Sequence, residues 1–362
     1  MTDNRYHALV LAGGFGTRLW PRSRQSRPKQ FLPFQGRDNL MLKTISRIRP
    51  LFPWDRIWII TKPQHEEEVL SQLPEVKREN LLLEPIPKGT AAAISWSVAR
   101  IEASNPGSVV GVFPTDHLIE HEDRFRALVE SGLAWAGSHP QLVTFGIKPE
   151  RPETAYGYIE IGTLKGEILG NSCYEVSCFH EKPSRELAVG YLASDRVFWN
   201  SGIFVFAAES LLTSLERWTP EVWGPLRRIM ADPETMRDQA LTDEVYGTMP
   251  DYSLDKAILE TASNIVVFPG SFGWHDLGVW ETCYTLSKKD AGGNAVRGRV
   301  VPLDCRDCLI ASDDKTLVAA VGIEDMVVVA EGGAVLICPR SRLEEVREIV
   351  EKIKDLGLRE YL

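Results

Sequence analysis

Between Asn4 and Arg37 the chain carries no aspartate or glutamate, although its 362 residues hold 50 acids against 41 lysines and arginines, a net charge of −9. Other absences are equally restrictive. No apolar run approaches the roughly 18 residues of a membrane span, and the opening MTDNRYH has no secretory apolar core, so a cytoplasmic protein without membrane contact is expected. Six cysteines scattered over this length argue for reduced thiols, and Cys305-Arg-Asp-Cys308 lacks the second pair or histidine cluster of a zinc site. Positive charge confined to one short segment of an acidic chain argues against a nucleic-acid surface. The phosphate motif G-x-x-x-x-G-K-[ST] is missing, and Leu19 stands where a dinucleotide fingerprint needs its third small residue. Low-complexity segments are missing too.

What stands in the acid-free stretch is LVLAGGFGTRLWPRSRQSRPKQF, residues 9 to 31. An apolar strand, His7 to Ala12, runs into Gly13, Gly14 and Gly16, and five cations follow with no acid among them: Arg18, Arg22, Arg24, Arg27 and Lys29. Glycine lets backbone N–H groups approach a ligand closely, such groups form an anion-binding concavity, and arginine and lysine add full charges. A solvated structural bend is the plainer alternative. A polyphosphate is the ligand this island suits.

The length fits two domains, or one large and one small. Up to about residue 115, apolar strands (7–12, 57–61, 81–84, 109–113) alternate with helical stretches (39–49, 64–73, 89–103), the rhythm of a doubly wound α/β sheet. Ligands of such sheets bind at the carboxyl ends of the strands. Further helices are expected over 123–138, 184–193, 210–231 and 254–262, with strands at 143–147, at 265–268 and mixed with loops over 157–206. Near residue 288 the texture changes to short, closely recurring β segments (300–303, 308–311, 316–321, 326–330, 334–338) and a final amphipathic helix over 343–356. The expected division is therefore a domain of residues 1–287 and a C-terminal β-rich, β-helical domain of residues 288–362, which could supply a dimer interface.

Two acids follow expected strands. Asp116 lies just beyond the strand ending at Phe113, and Asp276 in Trp274-His-Asp-Leu-Gly follows the strand ending at Phe268. Two carboxylates on separate loops can share one Mg²⁺ with phosphate oxygens and water, although either alone is an ordinary turn residue. Tyr156-Gly157-Tyr158, Glu181-Lys182-Pro183 and Asn200-Ser201-Gly202 combine groups able to bind sugar hydroxyls with a cation able to bind a sugar phosphate.

Taken together, LAGGFGTRLWPRSRQSRPKQF (11–31), EPIPKGTAAAI (84–94), FPTDH (113–117), GIKPERPETAYGYIEIG (146–162), FHEKP (179–183), WNSGIFVF (199–206), SLDKAILE (253–260) and WHDLGVW (274–280) resemble the sugar-1-phosphate nucleotidyltransferases, more narrowly the mannose-1-phosphate guanylyltransferases. The resemblance implies a Rossmann-like mixed sheet, and transfer of GMP from GTP to mannose 1-phosphate with Mg²⁺, in a homodimer. It places Leu11, Ala12, Gly13, Gly14, Gly16, Thr17, Arg18, Lys29, Glu84, Lys88, Gly89 and Thr90 around the nucleotide. Tyr156, Gly157, Glu181, Lys182, Asn200 and Gly202 fall to the sugar phosphate, Asp116 and Asp276 to the metal, and Arg18, Lys29, Asp116 and Asp276 to catalysis. Glu84 is a candidate reader of guanine, whose adjacent N1–H and N2 amino donors suit one carboxylate. The chain departs from the family pattern at Lys88-Gly89, Ala92, Thr115, Ala155 and Lys256. The alternatives are transfer to another sugar 1-phosphate, or a catalytically silent nucleotide-sugar sensor. A glycosyltransferase would need a D-x-D motif where Pro114-Thr115-Asp116 stands.

Overall fold

The computed structural model of the chain describes residues 3–14, 16–34, 36, 38–231, 239–313 and 315–362. Two compact units interleave along the sequence. Met1–Gly13, Thr44–Thr115 and Ile119–Trp274 form the first; Gly14–Lys43, Asp116–Leu118 and His275–Leu362 form the second. The units are divided differently from a cut at residue 288, because the basic segment packs with the C-terminal strands.

The first unit is built on one sheet. Its strands are β1 (Tyr6–Leu11), β2 (Ile57–Thr61), β3 (Leu81–Leu83) and β4 (Val109–Pro114), then, after a short separate strand β5 (His117–Ile119), β6 (Leu142–Ile147), β7 (Tyr158–Ile168), β8 (Asn171–His180), β9 (Val197–Ala207) and β10 (Ile265–Gly270). Their order is β3-β2-β1-β4-β9-β6-β10-β8-β7. The β3-β2-β1-β4 run is parallel, and β9 enters antiparallel to both β4 and β6, so the sheet is mixed. β2 is buried at all five positions, as a strand covered on both faces must be. The helix Gly89–Ser104 buries Ala91, Ala92, Ala93, Val98 and Ala99, side chains small enough to let its backbone approach its neighbours closely.

Two helical expectations need correction. The stretch from Ser210 is two helices, Ala208–Trp218 and Pro220–Met230, since proline fits a helix's first turn and Thr219 before it is held out of the helical region. The segment after Leu254 is π-helical over Asp255–Leu259, a form found frequently at functional sites.

After a short strand β11 (Trp274–Asp276), β12 (Ala295–Arg297), β14 (Leu309–Ser312) and β16 (Met326–Glu331) stack in parallel in the second unit. A second parallel ladder joins β13 (Val300–Leu303) to β15 (Val318–Val321), and β17 (Ala334–Pro339) closes on β16 antiparallel. Short parallel strands stacked in successive layers are the expected β-helical pattern. Leu19, Trp20 and Trp280 share a core with Leu309, Val327 and Val329. Cys305 and Cys308 belong to a smaller cluster with Ile310 and Ala320, and their thiols meet backbone carbonyls. The expected terminal helix begins as a 3-10 turn, Arg340–Glu345, and becomes α-helical over Val346–Asp355, burying Val346 and Val350. No helix among the described residues is long and apolar enough to cross a membrane.

Candidate functional site

Within the second unit three charged groups meet. Lys29 Nζ donates to Asp116 Oδ2 at 2.9 Å and lies 3.5 Å from Asp276 Oδ1. The two acid segments are fastened together by their main chains, Leu277 N–H donating to Asp116 C=O at 3.0 Å. Asp276 ends a short strand of its own, Trp274–Asp276, and is not in a loop as expected. Gly16 explains how Lys29 reaches this place. Its φ is +64°, and a Cβ there would stand 2.5 Å from the Lys29 Cβ, so only glycine allows the turn to pass so near. The lysine side chain is 7% exposed, whereas Asp116 and Asp276 keep 40% and 24% of theirs open. Crowding alone would raise the Asp116 carboxyl, but the charges of Lys29 and His117 outweigh it and hold that carboxyl well below its usual range.

Could this pair hold a divalent cation? The two carboxylates already converge on one positive charge, the ammonium of Lys29. No group of three or more His, Cys, Asp or Glu suited to a metal occurs among the described residues. An ion bound here therefore needs phosphate oxygens and water to complete its shell, the habit of Mg²⁺. The donor set fits a divalent cation that arrives with a phosphate ligand. Arg18 lies in the 3-10 turn Thr17–Leu19, half-buried and without an ion pair among the described residues.

Gly14 begins the second unit, and the remaining predicted residues lie in the first unit, in two groups. In the first group, Glu84 follows β3, is 7% exposed, and accepts a hydrogen bond at Oε1 from Tyr246 Oη at 2.9 Å. Its Oε2 abuts Gly13, where a Cβ would come within 3.3 Å. Burial raises the Glu84 carboxyl, opposed by the Tyr246 and Lys88 hydrogen bonds and by Lys62. Lys62, itself buried, is pushed down to about 8 by desolvation against the pull of Glu84. Around them, Thr61 and Thr115 hydroxyls donate to the Ala12 and Leu11 carbonyls, so the departure at Thr115 brings a hydrogen bond. Gly89, with φ +72°, lies where a Cβ would strike the Tyr252 carbonyl at 2.4 Å, and the Thr90 hydroxyl accepts from Leu254 N–H.

The second group joins Gly157, Glu181, Lys182, Asn200 and Gly202. Asn200 N–H donates to the Gly157 carbonyl at 2.8 Å, and a Cβ on Gly157 would come within 3.0 Å of Glu181 Oε2. Lys182, at φ +44°, pairs with Glu181. The Asn200 amide is clamped at both ends: Oδ1 accepts from Thr144 Oγ1 at 3.0 Å and Nδ2 donates to Asp255 Oδ1 at 2.6 Å. Burial, then the Glu181 charge, pushes the Asp255 carboxyl up to about 6. Tyr156 sets its ring edge-on to Trp199 and Trp274, each centroid 5.3 Å away. Sequence reasoning assigned no role to Asp255, Tyr246, Lys62 or Thr144. Asp255 stands in the quoted SLDKAILE segment, and Lys62 directly follows a strand; Tyr246 and Thr144 carry no local signal.

Residues 7–292 match the nucleotidyl transferase family, and residues 298–353 match the MannoseP isomerase/GMP-like beta-helix domain. The chain is 38% identical to the xanthan biosynthesis protein XanB of Xanthomonas campestris pv. campestris, over 96% of this chain and 73% of that one. It is 35% identical to a mannose-1-phosphate guanylyltransferase of Escherichia coli K12, over 100% of this chain and 76% of that one. It thus spans about three quarters of the length of these curated relatives. A solved structure of a mannose-1-phosphate geranyltransferase from Thermus thermophilus superposes with a TM-score of 0.83 at 33% identity, covering 97% of this chain and 99% of that one. Two domain matches in the order the fold displays, and relatives aligned over nearly the whole chain, lead to one assignment: this protein is an enzyme of the nucleotidyl transferase family, in the branch that carries the MannoseP isomerase/GMP-like β-helix domain.

Proposed function

We propose that the protein transfers GMP from GTP to α-D-mannose 1-phosphate, releasing pyrophosphate. The observation that carries this reading is the convergence of Asp116 and Asp276 on Lys29, in a chain 35% identical throughout to a mannose-1-phosphate guanylyltransferase. A phosphate oxygen of the sugar phosphate attacks the α-phosphorus, a new P–O bond forms in line with the breaking bond to the β-phosphate, and pyrophosphate leaves with the bonding electrons. No protein base is required, because the attacking phosphate is already ionised; alignment and charge neutralisation carry the work. Arg18 and the backbone of Gly13, Gly14, Gly16 and Thr17 hold the leaving phosphates, and Lys29 lies at the α-phosphate. Asp116 and Asp276 hold Mg²⁺, which when bound neutralises charge on the phosphate oxygens. Gly157, Glu181, Lys182, Asn200 and Gly202 receive the sugar phosphate, with Tyr156 against it.

Guanine recognition falls to Glu84. Tyr246 and the Lys88 N–H use Oε1, so Oε2 beside Gly13 takes the larger share of the two guanine donors. Lys88, Gly89 and Thr90 shape the loop beside it. The reading includes a cytoplasmic homodimer: Val301, Leu303 and Val321, on the paired strands β13 and β15, are 56%, 57% and 67% exposed, an apolar strip a second copy would cover. Sedimentation velocity at micromolar protein should show twice the chain mass, and a monomer throughout would remove the dimer. The activity is tested by pyrophosphate release over a panel of triphosphates and sugar 1-phosphates, with and without Mg²⁺. GTP with mannose 1-phosphate should be the fastest pair, and silence from every pair would end the enzymatic reading.

A further inference from the structure

Of the five cations in the acid-free segment, the proposed reaction uses only Arg18 and Lys29. Arg24 is spent on structure: its guanidinium donates to the carbonyls of Pro21, Glu331 and Gly332, the latter two at 2.7 and 2.8 Å. Arg22 and Arg27 are different. Together with Arg297 they line a cavity of about 240 Å³ in the second unit. None of the three guanidinium groups forms an ion pair with a carboxylate among the described residues. The Arg22 guanidinium donates to the Pro33 carbonyl at 2.7 Å.

Two acids also line this cavity, and they are not equivalent. Asp313 turns its charge to the main chain, Oδ1 accepting from the Lys315 and Thr316 N–H groups and Oδ2 from that of Gly332. Glu331 lines the cavity, and its charge acts on Arg22, opposing the neighbouring cations. Burial, then the neighbouring charge of Arg297, pushes the Arg22 guanidinium down to about 10, with Arg27 adding in the same direction. Like charges therefore face one another here without full compensation. A dianionic oxyanion accepts hydrogen bonds from several guanidinium forks at once and relieves that repulsion. Gly298 lines the wall at φ +80°, where a Cβ would meet the Ser312 carbonyl at 2.1 Å. At roughly 30 Å³ per water, the cavity has room for more than a bare phosphate ion, and the Glu331 carboxylate can accept from hydroxyl groups beside it.

We propose that Arg22, Arg27 and Arg297 form a second anion site, separate from the Lys29, Asp116 and Asp276 cluster, that binds a small phosphorylated metabolite by its phosphate group. The site stands independently of the proposed GMP transfer, since binding can be measured with no turnover. Calorimetric titration of the full chain with inorganic phosphate and with glucose 6-phosphate tests it, using Arg297→Ala and Arg27→Ala, with circular dichroism as the check on folding. Saturable binding by the wild type, weakened about tenfold or more in either folded variant, is the expected result. Tighter binding of glucose 6-phosphate than of phosphate assigns Glu331 to the hydroxyls; equal binding assigns the site to the phosphate alone. No binding by the wild type at millimolar probe overturns the proposal, and so does binding that both variants retain. Should one variant fail to fold, the other decides.

Discussion

Around Lys29 one ammonium faces two half-buried carboxylates, whereas at Asn200 an equally half-buried carboxylate faces an amide. The first arrangement keeps Asp116 ionised: Lys29 holds its carboxyl well below its usual range. The second pushes its acid the other way, Asp255 rising to about 6, because desolvation meets no full opposite charge within bonding distance. The same residue type thus serves two ends. A carboxylate held ionised by a lysine, as at Asp116, suits a cation and a phosphate, while a carboxyl that gains a proton near pH 6 suits the fixing of a neighbouring amide. Glu84 sides with the second group, since burial raises it and Tyr246 holds it.

The largest expected effect breaks the contrast at its Lys29 end. Asp276→Asn should lower turnover by about 10²–10³ while changing stability by less than about 1 kcal/mol, because Asp276 is the more distant partner of Lys29, at 3.5 Å, and Asp116 keeps the ammonium paired at 2.9 Å. Pyrophosphate release and urea unfolding measure the two quantities on one preparation. A loss of stability matching the loss of rate would make Asp276 a structural residue and erase the distinction.

A smaller effect is expected at Glu84. Glu84→Gln should reduce the preference for GTP over ATP by about tenfold, the value of one hydrogen bond to a charged acceptor, and Tyr246→Phe should leave the preference in place. Unchanged preference in Glu84→Gln would confine Glu84 to its hydrogen bond with Tyr246.

The smallest effect concerns pH. Asp255 binds its proton more tightly folded, at about 6, than unfolded, at 3.8. Between those values the folded state holds more protons, so the stability it contributes is complete below 3.8 and is lost as pH rises through about 6. Relative to Asp255→Asn, the wild type should lose on the order of 1 kcal/mol across this window. Parallel curves for the two proteins from pH 4 to 7 would show that Asp255 is not raised.

Much of the fold was legible because its signals are local. The apolar run at Tyr6–Leu11 is a strand, and the boundaries at Ile57–Thr61, Gly89–Ser104 and Val300–Leu303 agree with apolar patterning to within a residue. The failures had local causes that pattern does not weigh. Pro220 split one helix, and a segment expected as an α-helix took π-helical hydrogen bonds. The site was legible as residue types in motifs, but its pairings were not. Asp255 carried no visible role, because nothing near it in sequence names Asn200 as its partner, 55 residues away.

The sequence by itself determined the alternation of strands and helices, the glycine turn, the acid-free basic segment and the resemblance to nucleotidyltransferases, since each is written in neighbouring residues. Only the tertiary structure decided which charges meet. Lys29 finds Asp116 and Asp276 at separations of 87 and 247 residues, and Glu84 finds Tyr246 at 162. It also divided the basic segment, sending Lys29 to the carboxylates, Arg24 to backbone carbonyls, and Arg22 and Arg27 to a cavity with Arg297. Periodicity reports which face of an element is buried; which side chains then share that interior depends on how the chain packs, and charge–charge proximity follows from packing alone.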